Sequence, residues 1–103
     1  MSAVRFSQAE MLVLVSLLDG PKHGYAIAND LEAFSGRRPG PGTLYSAISR
    51  MEERGLIVQK ASRDRRKPYT LSRSGDQRAQ EELTRLETVA REGRRRLRLR
   101  DAR

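Results

Sequence analysis

The segment GPGTLYSAISRMEERGLI, residues Gly40 to Ile57, places helix-breaking residues before a run of apolar residues at helical spacing. Glycine is an acceptable N-cap and proline suits the first helical turn, so Pro41 predicts the start of a helix rather than its interruption. Gly55 fits the left-handed residue that ends a helix, after which Leu56 can fold back on the last turn. The residues that share the apolar face are Leu44, Ile48 and Met51.

Two shorter helices are predicted before this segment. Ser7, followed three residues later by Glu10, has the pattern of a capping box and predicts a first helix over about residues 8–18. That helix is apolar almost all round, so a second element or a second chain must cover it. Apolar residues at helical spacing then predict a second helix over about residues 24–34.

A hairpin and a long helix are predicted after the third helix. The short β-rich runs LIVQKA and PYTLS flank the charged segment SRDRRK, which is typical of a turn. Pro68 cannot donate to a ladder, so it belongs at the start of an outer strand. From Ser72 onward, apolar residues recur in alternating steps of four and three, the spacing of a heptad seam. Three acid-before-base pairs one turn apart support this helix: Glu81 with Arg85, Glu87 with Arg91, and Glu92 with Arg96.

These elements predict a mainly α protein with a small β-hairpin (α+β). Three short helices followed by a basic hairpin are typical of a winged helix-turn-helix. We therefore expect a winged helix-turn-helix DNA-binding domain over residues 1–72. The remaining residues, 73–103, should form a C-terminal dimerisation helix with a basic tail.

Charge and composition narrow the class of function. The chain has 21 Lys and Arg against 13 Asp and Glu, a formal net charge of +8, which favours a nucleic acid partner. It has no cysteine, which excludes disulfides and thiolate chemistry. Its longest nearly apolar run, MLVLVSLL, is far shorter than the roughly 20 residues of a membrane span, so we expect a cytoplasmic protein. His23 has no catalytic partner in the sequence, so we predict no enzyme activity, metal or cofactor.

The third helix and the hairpin predict a surface for double-stranded DNA. In this fold the third helix enters the major groove and the hairpin, called the wing, lies beside it. Gly42 leaves room for a phosphate beside backbone N–H groups at a helix start. The candidate contacts are Arg38 before the third helix, Gly42, Thr43, Tyr45, Ser46, Ser49 and Arg50 on it, and Arg63, Arg65, Arg66 and Lys67 in the wing.

Simpler alternatives apply to several of these residues. Polar side chains opposite an apolar stripe, here Ser46, Ser49 and Glu53, are often only a solvated face. Tyr45 could pack against the wing as well as contact DNA. SRDRRK could be a solubilising turn, and the arginine-rich end of the chain a frayed basic tail.

Three segments resemble, in order, the signatures of the PadR family of bacterial transcriptional regulators. They are LDGPKHGYAIANDLE, PGTLYSAISRMEERGLI and RRKPYTLSRSG, and together they cover about residues 11–75. The resemblance implies a dimeric winged-helix regulator, usually a repressor, that binds inverted-repeat operators. It implies DNA contacts by residues at three matching motifs: Gly24 and Tyr25, Thr43 and Tyr45 beside the core residue Leu44, and Arg65, Arg66 and Lys67.

The chain departs from the family pattern at several points. Gly40 stands where the family often has Ser or Thr as the helix cap. One helix follows the wing, as in short-tailed members without a separate effector domain. Some relatives bind aromatic compounds between tryptophans, and this chain has no tryptophan, so a small-molecule effector is not favoured.

Two apolar surfaces predict a homodimer, and the resemblance implies that the C-terminal helix forms much of its interface. The alternative is that the seam packs back on its own domain. The candidate interface residues are Met11, Leu12, Val15, Ala79, Leu83, Leu86, Ala90 and Leu97. The alternative function is a basic winged-helix module that binds structured RNA or protein, because DNA and RNA attract basic surfaces alike.

Overall fold

A computed structural model describes residues 5–61 and 67–102, and every structural statement below refers to these residues. The elements are α1 (Gln8–Leu17), α2 (Gly24–Ser35), α3 (Pro41–Glu53), β1 (Ile57–Gln59), β2 (Tyr69–Leu71) and α4 (Arg73–Asp101). The predicted fold class, mainly helical with a small hairpin and a long C-terminal helix, is confirmed. Across the described residues, no helix has both the length and the apolar character needed to cross a membrane.

α1 is the central element of the core. It packs against α2, α3, β2 and α4, which explains why apolar side chains surround it. Val13, Leu14 and Leu17 are buried, whereas Met11 and Leu12 are half-buried. Most of the apolar surface of α1 is therefore covered by elements of the same chain. The buried core residues are Val13, Leu14, Leu17, Ile27, Ala28, Leu31, Leu44, Ile48, Met51, Leu56, Ile57 and Ala79.

α3 begins and ends as the sequence predicts. Gly40 is its N-cap, with extended backbone angles, and Pro41 occupies the first turn. At the other end Gly55 is left-handed, with φ of +72°. Its N–H donates to the Glu52 carbonyl at 3.0 Å, and the Leu56 N–H donates to the Met51 carbonyl at 2.9 Å. These two bonds are those of a Schellman motif, which turns the chain from α3 into β1.

The two strands form an antiparallel hairpin whose base is fastened to the body. Ile57, Val58 and Gln59 pair with Leu71, Thr70 and Tyr69 respectively. Pro68 precedes β2, and its carbonyl accepts from the Lys60 N–H at 2.7 Å. In addition, Lys22 and Tyr69 exchange two backbone hydrogen bonds of 3.0 and 2.8 Å. This bridge ties the wing to the connection between α1 and α2.

α4 starts in a tight joint with the end of α3. The Ser72 hydroxyl accepts from the Gly75 N–H at 3.0 Å, donates to the Gly55 carbonyl oxygen at 2.5 Å and lies 3.1 Å from the Leu56 carbonyl oxygen. Gly75 is buried, and a Cβ at this position would lie 1.9 Å from the Leu56 carbonyl oxygen. Only glycine therefore allows α4 to begin this close to β1.

The far half of α4 extends beyond the core. The helix has 29 residues, which corresponds to about 43 Å at 1.5 Å per residue. Ala79 is only 2% exposed and belongs to the chain's own core. Ala79 is therefore removed from the candidate dimer interface, because its side chain is already buried within this chain. From Glu87 to Ala102 the side chains are exposed, apart from half-buried Glu92.

Candidate nucleic-acid interface

The two faces of α3 differ completely in burial. Leu44, Ala47, Ile48 and Met51 are buried against the core. The predicted contact residues on the opposite face are all exposed: Gly42, Thr43, Tyr45, Ser46, Ser49 and Arg50. All of these except Thr43 line one shallow groove along the helix. The structure thus brings together the α3 side chains that the sequence singles out.

The first turn of α3 is open to an approaching anion. A helix start carries backbone N–H groups without intrahelical partners and a partial positive charge. Gly40 has no side chain that could cap them, and a Cβ at Gly42 would meet no other described atom within 4 Å. The absence of a side chain at Gly42 is therefore not required by packing, which is consistent with a surface kept clear for a phosphate.

Tyr45 packs on the start of α2. A Cβ at Gly24 would lie 2.3 Å from the Tyr45 hydroxyl oxygen, so a side chain at this position would displace the end of the Tyr45 side chain. The Tyr45 side chain nevertheless remains 47% exposed. Packing and exposure therefore coexist at this residue, which packs on α2 and lines the same cavity as Lys67 and Tyr69 of the wing.

A cavity lies between the start of α2, the start of α3 and the wing. All three tyrosines of the chain line it. Burial raises the pKa of the Tyr69 hydroxyl above its usual value, and the negative charge of Glu52 raises it further. The lining residues are His23, Gly24, Tyr25, Tyr45, Gln59, Lys67 and Tyr69.

Arg38 is held against α2 although it belongs to the connection before α3. Its guanidinium lies 5.2 Å from the centre of the Tyr25 ring, within the range of a cation–π contact. It also donates to the Asn29 side-chain oxygen at 2.5 Å and lies 3.5 Å from a Glu32 carboxylate oxygen. Tyr25 is 68% exposed, so the pair forms a basic and aromatic edge beside α3.

Arg50 contacts a residue that sequence reasoning assigned only to a helix cap. Its Nε lies 3.7 Å from Oε1 of Glu10 on α1, and Nη1 of Arg54 lies 3.0 Å from Oε2. Glu10 also accepts the Ser7 N–H at 3.1 Å, so the predicted capping box is confirmed. Glu10 and Arg54 are 44 positions apart, and no local pattern in the sequence indicates their pairing.

The structure describes one of the four candidate DNA contacts in the wing, Lys67. Arg63, Arg65 and Arg66 lie outside the described residues. Lys67 is exposed and lines the cavity beside Tyr69. The base of the wing therefore lies at the same surface as the start of α2 and α3.

Comparison with known proteins identifies the family. The model of the transcriptional regulator PadR-like family matches residues 13–81, which run from the middle of α1 to the first third of α4. The chain belongs to the PadR-like family. The matched range includes the exposed face of α3, the Gly24 contact with Tyr45 and the wing.

Individual relatives agree with this assignment. The chain is 44% identical over 72 residues to an uncharacterized 37.1 kDa protein in transposon TN4556 of Streptomyces fradiae, and spans about a fifth of that protein's length, since the match covers 21% of it. A PadR family transcription regulator of Clostridium difficile R20291 superimposes with a TM-score of 0.80 and 24% identity, over 88% of this chain and 99% of that one. A PadR-like regulator of Bacillus cereus gives a TM-score of 0.75 and 23% identity, over 85% and 89%. These structures share the PadR-like fold.

The apolar dimer candidates of this PadR-like chain lie on α1 and along α4, where they continue past the core. Met11, Leu12, Val15, Leu83 and Leu86 are half-buried within the chain. Ala90 is exposed and Leu97 is 46% exposed, farther along the same seam. Val89 and Leu99 are exposed apolar residues off this seam, which the heptad pattern did not include.

Proposed function

We propose that this chain is a sequence-specific regulator of transcription that binds double-stranded DNA as a dimer. The observation that carries the proposal is the exposed polar face of α3, which lies opposite a fully buried apolar face. A helix held this rigidly by one side can present the other to the major groove. The net charge of +8 and the membership in a family of transcriptional regulators support the same function.

The candidate residues divide into two roles. Side chains in the middle of α3, namely Ser46, Ser49 and Arg50, are assigned to base edges, which determine sequence preference. The open N–H groups near Gly42 are assigned to phosphates, which fix position on the duplex. The other phosphate candidates are Tyr25, Arg38, Thr43, Tyr45, Arg63, Arg65, Arg66 and Lys67.

The dimer and the repressor role complete the proposal. A two-fold dimer places its two α3 helices about one DNA turn apart, roughly 34 Å, and so matches an inverted repeat. A dimer seated on an operator that overlaps a promoter excludes the transcription machinery, which is the role the family resemblance favours. The apolar stripe along α4 supports an assembly of two chains.

The test begins with selection of bound duplexes from a randomised pool by the purified chain. Affinity for the selected duplex is then compared with affinity for random duplexes and for a structured RNA at matched salt. We expect a clear preference for the selected duplex. Equal or tighter binding of the RNA would overturn the proposal in favour of an RNA-binding module.

Two kinds of variant separate the proposed roles. Arg50→Ala or Ser46→Ala should weaken binding to the selected duplex more than to random DNA, by about 1–3 kcal/mol for a good base contact. Neutralising Arg65 and Arg66 should weaken binding to all duplexes alike and flatten the salt dependence by about 0.9 per lost phosphate contact. An unchanged salt slope would remove the wing from the DNA interface.

A further inference from the structure

A buried carboxylate on α1 lies directly behind the DNA-facing groove of α3. The Glu10 side chain is only 4% exposed. A buried charge is costly unless it is paired and hydrogen-bonded. Oε1 accepts the Ser7 N–H at 3.1 Å and lies 3.7 Å from Nε of Arg50, while Oε2 accepts Nη1 of Arg54 at 3.0 Å. Both oxygens therefore have partners, and two of the three partners are cations at the C-terminal end of α3: Arg50 within the helix and Arg54 at its C-cap.

The helix cap alone does not explain the negative charge. A capping box needs one side-chain acceptor at this position, and glutamine supplies it as well as glutamate does. The Ser7 N–H occupies only Oε1, whereas Oε2 faces Arg54. Arg50 and Arg54 are one helical turn apart, so a single carboxylate reaches both from beneath α3. The charge of Glu10 therefore acts on α3, in addition to capping α1.

Arg50 faces both Glu10 and the groove. Its side chain lines the groove together with Ser46 and Ser49, and it is 45% exposed. Its closest approach to Glu10 is through Nε, so its terminal nitrogens lie farther from that oxygen. A guanidinium has five N–H donors in a rigid fork, and the terminal ones remain for a base edge or a phosphate. A side chain whose rotamers an ion pair of 3.7 Å already favours also loses less rotamer freedom when it meets DNA.

We propose that Glu10 is a positioning residue for DNA recognition, which acts through Arg50. Arg54, with the shorter contact, holds the carboxylate in place, and the carboxylate orients the guanidinium of Arg50 towards the groove. The sequence preference of the protein then depends on a residue that is buried and never touches DNA. This inference rests on the proposed function, because it assigns a new part to the same interface.

The main test is Glu10→Gln in the full chain. Glutamine keeps the volume and the acceptor for the Ser7 N–H but removes the charge. We expect the preference for a selected duplex over random duplexes to fall roughly fivefold to tenfold, a part of the discrimination that one good base contact supplies. The matched control is Ser7→Ala, which removes the other half of the same capping box and leaves the carboxylate. It should lower the melting temperature and leave the preference unchanged.

A double-mutant cycle distinguishes positioning from a merely structural ion pair. In an Arg50→Ala background, Glu10→Gln should cause no further loss of preference, because the group it orients is absent. A structural role would lower binding equally in both backgrounds, and that result would overturn the inference. If Glu10→Gln does not fold by circular dichroism, Glu10→Asp replaces it, since it keeps the charge but withdraws the carboxylate from Arg50. The same cycle then decides.

The outcomes also separate this inference from the proposed function. If the unaltered chain enriches no duplex from the pool, the proposed function fails and the positioning role fails with it. If the chain enriches a duplex and Glu10→Gln retains the full preference, only the positioning role is overturned.

Discussion

At Gly24 and Gly42 the lack of a side chain has two different physical reasons. At Gly24 a Cβ would collide with the Tyr45 hydroxyl at 2.3 Å, so glycine is needed for Tyr45 to keep this position. At Gly42 a Cβ would meet no other described atom within 4 Å, so glycine is not needed for the fold. The same residue type therefore serves the structure at one position and, in our proposal, DNA at the other.

The two glycines give a matched pair of substitutions. Gly42→Ala should leave the melting temperature unchanged or raise it, because alanine is the better helix former. It should still weaken binding to every duplex, because its methyl group stands where a phosphate would approach. Thermal unfolding and duplex titration measure the two effects. An unchanged affinity would show that no phosphate lies against Gly42.

Gly24→Ala tests the contact with Tyr45. The added methyl must displace the far end of the Tyr45 side chain, which can move without unfolding the chain. We expect weaker DNA binding and a small loss of stability. In a Tyr45→Ala background the methyl has room, so Gly24→Ala should then have no effect. A full effect in that background would place the cause elsewhere.

Sequence reasoning was most successful where a local rule determines the outcome. The helical period alone put Ser46 and Ser49 on the face opposite Leu44, and both are exposed. It could not find the contact of Arg50 with Glu10, because such pairs depend on how α1 and α3 pack. The contact of Arg38 with Tyr25 was missed for the same reason, although both residues were singled out.

Among the elements, α4 combines a rigid start with an exposed far half. Gly75 is buried and would drive a Cβ into the Leu56 carbonyl, whereas Gly93 is exposed and a Cβ there meets no other described atom within 4 Å. Both glycines lie within α4, where alanine is intrinsically the better helix former at either position. The two positions therefore differ in the atoms that surround them.

Alanine at these two positions should therefore have opposite effects on stability. Gly75→Ala should destabilise the fold by about 1–3 kcal/mol, the usual cost of forcing atoms into a packed site. Gly93→Ala should stabilise it by up to about 1 kcal/mol, because it removes glycine's loss of backbone entropy. Urea denaturation measures both. Similar values for the two variants would contradict the close joint between α4 and β1.

The ion pairs of α4 show where sequence patterns lose precision. Glu92 lies 2.7 Å from Arg96, as predicted, but also 2.6 Å from Arg95, and these two guanidiniums lower the pKa of Glu92 to about 2. Arg85 pairs with Glu82 rather than with Glu81, and the Arg85 contact lowers the pKa of Glu82. Residues three and four positions apart are both neighbours on a helix, so spacing alone does not choose between them.

For the whole molecule, the decisive expectation is assembly. α4 carries seam residues past the end of the core, and Leu97 is 46% exposed on that seam. A single chain gives this part of the helix little to pack against. The proposed homodimer would cover it and would place two α3 helices on one duplex.

Leu97→Glu and Leu99→Glu form a matched test of the dimer. Both residues are exposed on the same turn of α4, at 46% and 55%, but only Leu97 lies on the seam. A charge buried in an interface without a partner is strongly unfavourable, so Leu97→Glu should weaken the dimer and Leu99→Glu should not. Sedimentation at tens of micromolar (roughly the range where a weak specific dimer should still form) measures this.

A stronger disruption uses the part of the seam nearer the core. Leu83→Glu with Leu86→Glu should give monomers or unfolded chain and abolish binding to an inverted repeat at concentrations that saturate the unaltered protein. Circular dichroism separates a folded monomer from a misfolded one. An unaltered chain that sediments as a monomer would overturn both the dimer and the inverted-repeat expectation.

The joint at Gly75 gives α4 the mechanics of a lever. Its fulcrum is the Leu56 carbonyl, where the chain has just left α3, and its long arm is the part of the helix beyond Gly75, about 39 Å at 1.5 Å per residue. A tilt of about 5° at the fulcrum would move the tip of this arm by roughly 3 Å. In our proposal α3 faces DNA, so a displacement of the distal arginines that passes through this joint would reach the C-terminal end of the DNA-binding helix.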